Sequence, residues 1–203
     1  MFTGIVQGIG EIVNITDHDQ LRTYQVKLPS HLTHHIEIGA SIANDGCCLT
    51  VTHFSHDCVT FDIIQETLAL TTLGGKVIGD LVNIERSAKY GDEIGGHVMS
   101  GHISGVAIIK VINRSMTNCE MVLELPKSLM KYILYKGFIG IDGASLTIGN
   151  VTDSGFSIHL IPETLAITTL KNKQVGDLVN IEIDSQTQAI VATVERVLAQ
   201  KQA

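Results

Sequence analysis

The chain has 203 residues, 44% of them hydrophobic and 17% charged, with a formal net charge of −7. That length allows one large domain or two small ones, and the composition lies well away from disorder. A mildly acidic chain with no clustered Lys and Arg lacks the footprint of a nucleic-acid binder. The start, MFTGIVQGIGEIV, has neither the positive opening nor the long apolar core of a signal peptide, and no apolar run approaches the roughly 18 residues of a membrane span. Cys47, Cys48, Cys58 and Cys119 form no CxxC clip, and neighbours on a strand point to opposite faces. They read as reduced thiols in a cytoplasmic protein.

The first half reads as short strands. GIVQGIGEIVNI (Gly4–Ile15), TYQVKL (Thr23–Leu28), SIAN (Ser41–Asn44), CLTVTHF (Cys48–Phe54), CVTFDII (Cys58–Ile64) and LVNIERS (Leu81–Ser87) alternate or run apolar and β-branched. About six strands in so short a span predict a small closed or nearly closed barrel rather than an open sheet, because closure removes edges. HLTHHIEI (His31–Ile38) and ETLALTTLG (Glu66–Gly74) read as short helices, the second stopped by Gly74 and Gly75. GGHVMSGHISG (Gly95–Gly105) then places His97 and His102 among glycines. Their separation is no helical pair, and no thiol or carboxylate completes a metal set, so no metal site is expected.

The second half is the first written again. ETLALTTL recurs as ETLAITTL, GDLVNIE recurs unchanged, DGCCLT returns as DGASLT, LPSHL as LPKSL, and FTGIVQG as MSGHISG. The offset is a constant 97 residues (Glu66 to Glu163, Gly79 to Gly176). Two copies are too few for a solenoid and predict two like domains about a pseudo-twofold axis. The tail SQTQAIVATVERVLAQKQA has no counterpart. Ile190, Val191, Val194, Val197 and Leu198 give one amphipathic helix whose apolar stripe needs a cover, from a barrel or from another subunit.

Chemistry should appear where polar changes interrupt repeated blocks. Cys48 matches Ser145, Ile5 matches His102, Ser41 matches Phe138, Gly39 matches Lys136, and Ser87 matches Asp184. Each has an ordinary reading. Cys48 suits a small buried hydrophobe, Ser145 and Thr147 suit strand residues, His102 a surface loop, and Asp184 the cap of the tail helix. His97 falls in the joint between the copies, where a structural role is the default. Together the five differences describe one scaffold carrying unlike nucleophilic and ionisable groups. That suits a reaction in which two related molecules take different roles.

MFTGIVQG, DGCCLTV, ETL…TTLG, GDLVNIERSAKYGDEIGGHVMSGHISG, LMKYILYKGFIGIDGASLTI and NIEIDSQTQ together resemble the riboflavin synthases over nearly the whole chain. The resemblance implies an all-β fold of two homologous six-stranded antiparallel Greek-key barrels plus a C-terminal α-helix. The expected domains are residues 1–97, 98–184 and 185–203. It implies transfer of a four-carbon unit between two molecules of 6,7-dimethyl-8-ribityllumazine, giving riboflavin and 5-amino-6-ribitylaminouracil, with no cofactor or metal. It also implies a homotrimer, supported by the tail helix, with active sites between the first barrel of one subunit and the second of a neighbour.

Carried over residue by residue, the first barrel's ligand segments are Gly4-Ile5-Val6, Cys48-Leu49-Thr50 and Asp62-Ile63-Ile64-Gln65-Glu66-Thr67, with Phe2 packing on a ring or closing the barrel. Those of the second are Gly101-His102-Ile103, Lys136, Ser145-Leu146-Thr147 and His159-Leu160-Ile161-Pro162-Glu163-Thr164. His102 is expected to act as acid/base. Ser41 and Cys48 are expected to act from the first barrel, and Ser145, Thr147 and Asp184 from the second. Where the family's first barrel commonly reads Asn-Gly before its CLTV, this chain has Asp45-Gly46, a turn that matches Asp142-Gly143. The competing reading is a non-catalytic lumazine or flavin antenna of the same fold. The retained polar set (Ser41, Cys48, His102, Ser145, Asp184) favours the enzyme.

Overall fold

In a computed structural model, which describes residues 1–202, each half of the chain closes on itself. The first barrel runs β1 (Gly8–Asp17), β2 (Leu21–Lys27), β3 (Ser41–Asn44), β4 (Cys47–Ser55), β5 (Cys58–Ile64) and β6 (Leu81–Arg86). The second runs β7 (Gly105–Arg114), β8 (Cys119–Glu124), β9 (Phe138–Ile141), β10 (Ala144–Val151), β11 (Gly155–Leu160) and β12 (Leu178–Ile183). Neighbours around the first barrel are β1-β2-β5-β4-β3-β6, and the second repeats that order strand for strand, so both are closed six-stranded Greek-key barrels. Alternation sends Ile12, Tyr24, Ile42, Val51, Phe61 and Ile84 into one core, and Ile109, Met121, Ile139, Ile148, Phe156 and Ile181 into the other. Each such side chain contributes about 1.5–3 kcal/mol of burial.

Two local expectations change. His31–Ile38 forms no α-helix, only a 3-10 turn at Ser30–Leu32. His35 then takes a left-handed conformation (φ 54°), which breaks any helical path. The second segment gives a short helix, α1 (Gln65–Leu70), ended by extended Thr71 before a 3-10 turn at Thr72–Gly75. Its copy is α2 (Pro162–Ile167), which opens on a proline suited to a first helical turn.

The larger correction concerns the first strand. It starts at Gly8, not Gly4. Residues before it leave their own barrel, and Val6 is buried in the core of the second. The copy does the reverse, with Ile103 in the core of the first. The segments cross where Phe2 N donates to Met99 O (2.8 Å) and Met99 N donates to Phe2 O (2.9 Å). A cut at residue 97 therefore divides the sequence but not the packing.

A reciprocal polar network joins the barrels. The β3–β4 hairpin turns through Asp45 and Gly46, and the β9–β10 hairpin through Asp142 and Gly143, all at positive φ as a two-residue type I′ turn requires. The two tips touch. A Cβ on Gly46 would lie 2.7 Å from Gly143 N, so neither position tolerates a side chain. Asn83 Nδ2 donates to Asp142 O (2.8 Å) while its Oδ1 accepts from Thr169 N (2.7 Å). Asn180 mirrors this with Asp45 O (2.9 Å) and Thr72 N (2.7 Å). Fully buried Asp45 and Asp142 pair with Lys76 (2.9 Å) and Lys173 (3.1 Å). Burial, then the charge of Asp45, pushes the Asp142 carboxyl up to about 6.

The tail forms α3 (Ser185–Gln202). Asp184 caps it, its Oδ2 accepting from Thr187 N (2.9 Å) and Thr187 Oγ1 (2.7 Å). Lys131 ties it back through Glu195 (2.6 Å). Ile190, Val194, Val197 and Leu198 remain exposed, at 42–65%.

Asn83→Ala orphans a buried amide and a buried carbonyl across the junction, at about 1–3 kcal/mol each. Chemical denaturation is expected to show a loss of about 2–5 kcal/mol, and Asn180→Ala a loss of similar size. A loss under 1 kcal/mol in both would show that the network does not hold the barrels together.

Candidate functional site

Strand alternation decides which predicted residues reach a ligand. Along β4, Leu49 points into the core while Cys48 and Thr50 point out. Thr50 pairs with Ser41, so Ser41, Cys48 and Thr50 share one outer face. Along β10, Leu146 points in while Ser145 and Thr147 point out, Thr147 paired with Phe138 and Ser145 with Gly140. Leu49, Ile63, Leu146 and Leu160 have their side chains in the barrel cores, so they can offer a ligand only backbone. The candidate site is therefore on the outer walls of the barrels, near their junction.

On the first barrel, Cys47, Cys48, Glu66, Thr67, Leu70, Thr71, Gly101, His102 and Ile103 line a cleft of about 190 Å³. Cys48 N donates to Gly101 O (2.8 Å). Gly101 has φ +80°, and a Cβ there would sit 2.5 Å from the Cys48 Cβ, so only glycine brings this segment against the strand. Thus His102, expected on the second barrel, lies over the first.

The mirror arrangement surrounds Ser145. Its N donates to Gly4 O (2.8 Å), and a Cβ on Gly4 would sit 2.5 Å from the Ser145 Cβ. Gly4-Ile5-Val6, expected on the first barrel, therefore serves the second. Ile5 is 44% exposed beside this wall, and Val6 is buried beneath it. Phe2 is buried with Met99 and Ala43 between the two walls, with Cys48 packed on them. It closes the junction.

His97, read from the sequence as a structural residue of the joint, lies against Ser145. Its Nδ1 lies 2.7 Å from Ser145 Oγ, and its ring stacks on Phe138 (centroids 5.1 Å apart, 13° between planes). Burial pushes its pKa down, opposed by the charge of Asp184, and its Nε2 is buried with no partner. In the tautomer that accepts at Nδ1, a neutral imidazole polarises the serine hydroxyl, the geometry of a base-activated nucleophile; in the other tautomer Nδ1 donates to it. Asp184 is held below the usual carboxylate range by the α3 hydrogen bonds that outweigh its burial. The copy-against-copy comparison could not find His97, since its counterpart would precede residue 1.

The remaining predicted residues spread along the rims. Asp62 accepts from Thr23 Oγ1 (2.7 Å), and its copy His159 lies 3.1 Å from Asn118 Nδ2 and 3.8 Å from Glu120. Ile64 and Gln65 are exposed at the start of α1, as are Ile161, Pro162 and Glu163 at the start of α2, and Thr164 O accepts from Thr168 Oγ1 (2.6 Å). Lys136 is exposed with φ 64°, where the first copy has Gly39 at 89°, and its Nζ sits 5.3 Å over Tyr135. No cluster of three or more metal-ligating side chains occurs among the described residues.

A model of the lumazine binding domain matches residues 3–87 and again 100–184. The riboflavin synthase of Escherichia coli (strain K12) is 56% identical over 203 residues, covering 100% of this chain and 95% of that protein. That of Buchnera aphidicola subsp. Schizaphis graminum (strain Sg) is 50% identical, covering 98% and 96%. LumP complexed with 6,7-dimethyl-8-(1'-D-ribityl) lumazine superposes with a TM-score of 0.83 at 31% identity, covering 91% of this chain and 100% of that one. LumP complexed with riboflavin gives 0.84 at 34%, with the same coverage.

Because His97 has a lowered pKa, protonating it costs the folded state. Its contribution is complete above the free histidine value of about 6.5 and falls away as pH drops below that. An NMR titration of the His97 ring is expected to give a midpoint below 6.5, rising in Ser145→Ala if the serine hydroxyl holds it neutral. A wild-type midpoint above 7 would contradict the buried neutral ring.

Proposed function

The chain belongs to the riboflavin synthase family, and from that premise we propose that its two outer-wall sites hold two lumazines in opposite roles. The reaction is a dismutation. One 6,7-dimethyl-8-ribityllumazine gives up a four-carbon unit and leaves as 5-amino-6-ribitylaminouracil, and the other gains it and becomes riboflavin. The observation that carries the role assignment is the His97–Ser145 contact of 2.7 Å on one wall, where the repeat-equivalent wall has Cys48 and His102 instead.

A proton must leave the C7 methyl of one lumazine, and a nucleophile must add at C7 of the other. The conjugated ring already acidifies that methyl, so alignment and proton shuttling are what the protein supplies. His102 exchanges that proton over the first wall, with Cys48 in the same cleft and Ser41 farther along the same outer face. Ser145, polarised by His97, serves the C7 position on the second wall, with Thr147 beside it and Asp184 holding charge near the imidazole. Gly4–Val6, Gly101–Ile103 and the strand edges offer backbone groups to the ring edges. Glu66, Thr67, Glu163 and Thr164 face the ribityl chains.

The assembly follows from the same layout. Walls that face outward hold two ligands against each other only if another subunit supplies the opposite wall. The exposed stripe of α3 supports a homotrimer in which each first barrel meets a neighbour's second. Four free cysteines support a cytoplasmic setting.

Purified protein given 6,7-dimethyl-8-ribityllumazine alone is expected to form riboflavin, followed by absorbance, with no added metal or nucleotide. Binding without consumption would return the antenna reading. Ser145→Ala and His97→Gln are each expected to lower kcat about 10–100-fold, the range of a lost acid–base or nucleophile-activating contact. Deleting Ser185–Ala203 is expected to shift the protein towards monomer in sedimentation velocity and to abolish turnover. An unchanged oligomer would remove α3 from the assembly.

A further inference from the structure

Two buried carboxylates outside the reacting set occupy repeat-equivalent places. Glu85 on β6 is 3% exposed, and Glu182 on β12 is 4% exposed. Burial pushes both pKa values up, so each sits where a charge is costly. Each is compensated by donors from one short segment. Glu85 Oε1 accepts from Thr3 N (2.6 Å) and Thr3 Oγ1 (2.8 Å), and its Oε2 accepts from Gly4 N (3.1 Å). Glu182 Oε1 accepts from Ser100 N (2.6 Å) and Ser100 Oγ (2.8 Å), and its Oε2 accepts from Gly101 N (3.1 Å). The hydroxyls pass the constraint on. Thr3 Oγ1 accepts from Ile5 N (3.3 Å), and Ser100 Oγ accepts from His102 N (3.1 Å).

The segments held in this way serve the other barrel. Glu85 belongs to the first barrel, yet the Gly4 it grips presents its carbonyl to Ser145 of the second. Glu182 belongs to the second, yet the Gly101 it grips presents its carbonyl to Cys48 of the first, with His102 next in line. We propose that Glu85 and Glu182 are positioning residues acting across the barrel junction, Glu85 setting the geometry of the Ser145 site and Glu182 that of the Cys48–His102 site. The inference rests on the outer-wall sites described above. A carboxylate suits the task because it only accepts. Gln would turn an amide N–H towards one of the donors and break the grip without changing the volume.

The test follows the amide signals of Cys48 and Ser145 by NMR in full-length protein during titration with riboflavin, a product that does not turn over. Each amide reports one wall. In Glu85→Gln, binding read at Ser145 is expected to weaken about tenfold or more, the range for a lost hydrogen bond to a charged group, while binding read at Cys48 changes less than about twofold. Glu182→Gln is expected to do the reverse, weakening the Cys48 reading and sparing Ser145. Thr3→Val and Ser100→Ala remove only the hydroxyl donor and leave the carboxylate in place. They are expected to give the same crossed pattern at about two- to fivefold, and they decide the matter if a glutamine variant does not fold. Weakening at the variant's own barrel, equal weakening at both, or no change at either would overturn the proposal. If neither amide responds to riboflavin in the unaltered protein, the outer-wall sites fall, and the inference falls with them.

Discussion

The reciprocal grip of Asn83 and Asn180 on the opposite hairpin turns is the interaction on which the rest of the molecule depends. Each asparagine satisfies a carbonyl and an amide of the other barrel. Neither finds an equivalent within its own. Buried groups left unpaired there would each cost about 1–3 kcal/mol, so the barrels are strongly favoured in one relative position. The touching glycines of the two turns set the distance of approach, since no side chain fits between them. The polar contacts fix orientation and the glycines fix separation.

With the barrels held so closely, the first residues of each copy can cross over. Phe2 and Met99 exchange backbone hydrogen bonds at the crossing, and Val6 and Ile103 each complete the other barrel's core. The cores thus anchor the ends of the crossing segments, and what lies between anchor and crossing is the Gly4–Ile5 or Gly101–His102 backbone beside Ser145 or Cys48. Glycine at both positions permits backbone against strand. That puts polar side chains on the outer walls, where a partner subunit can face them, while the lumens are filled with aliphatic and aromatic groups.

The sequence carried the barrels and their repeat plainly, because period-2 alternation between turn residues is a local signal and the 97-residue offset is a direct comparison. Cys48, Ser145 and His102 were legible as differences between copies. The crossing was not. Nothing in GIVQGIG distinguishes a strand that continues from one that leaves its barrel at Gly8, because Ile5 and Val6 are apolar in either role. The barrel assignments of Gly4–Val6 and Gly101–Ile103 came out exchanged for that reason. His97 was hidden twice. It lies in the joint, where the repeat offers no counterpart, and its partner Ser145 is 48 residues away. The short helix expected at His31–Ile38 failed on a single backbone angle at His35 that histidine does not announce.

Duplication followed by divergence has a chemical logic here. Two identical lumazines bind alike, so two like walls are the economical way to hold both. Identical walls would also treat the two molecules alike, and the reaction then has no preferred direction of transfer. The divergent residues make the two walls chemically unlike, while the strands that carry them are repeated. One wall has a buried imidazole stacked on Phe138 and 2.7 Å from a hydroxyl, and the other has a thiol and a more exposed histidine lining one cleft. Under the proposed roles, the first arrangement draws a proton from a hydroxyl and the second passes a proton to and from a ligand. The crossing segments make each wall depend on the other barrel, so two unlike sites are built by one symmetric frame.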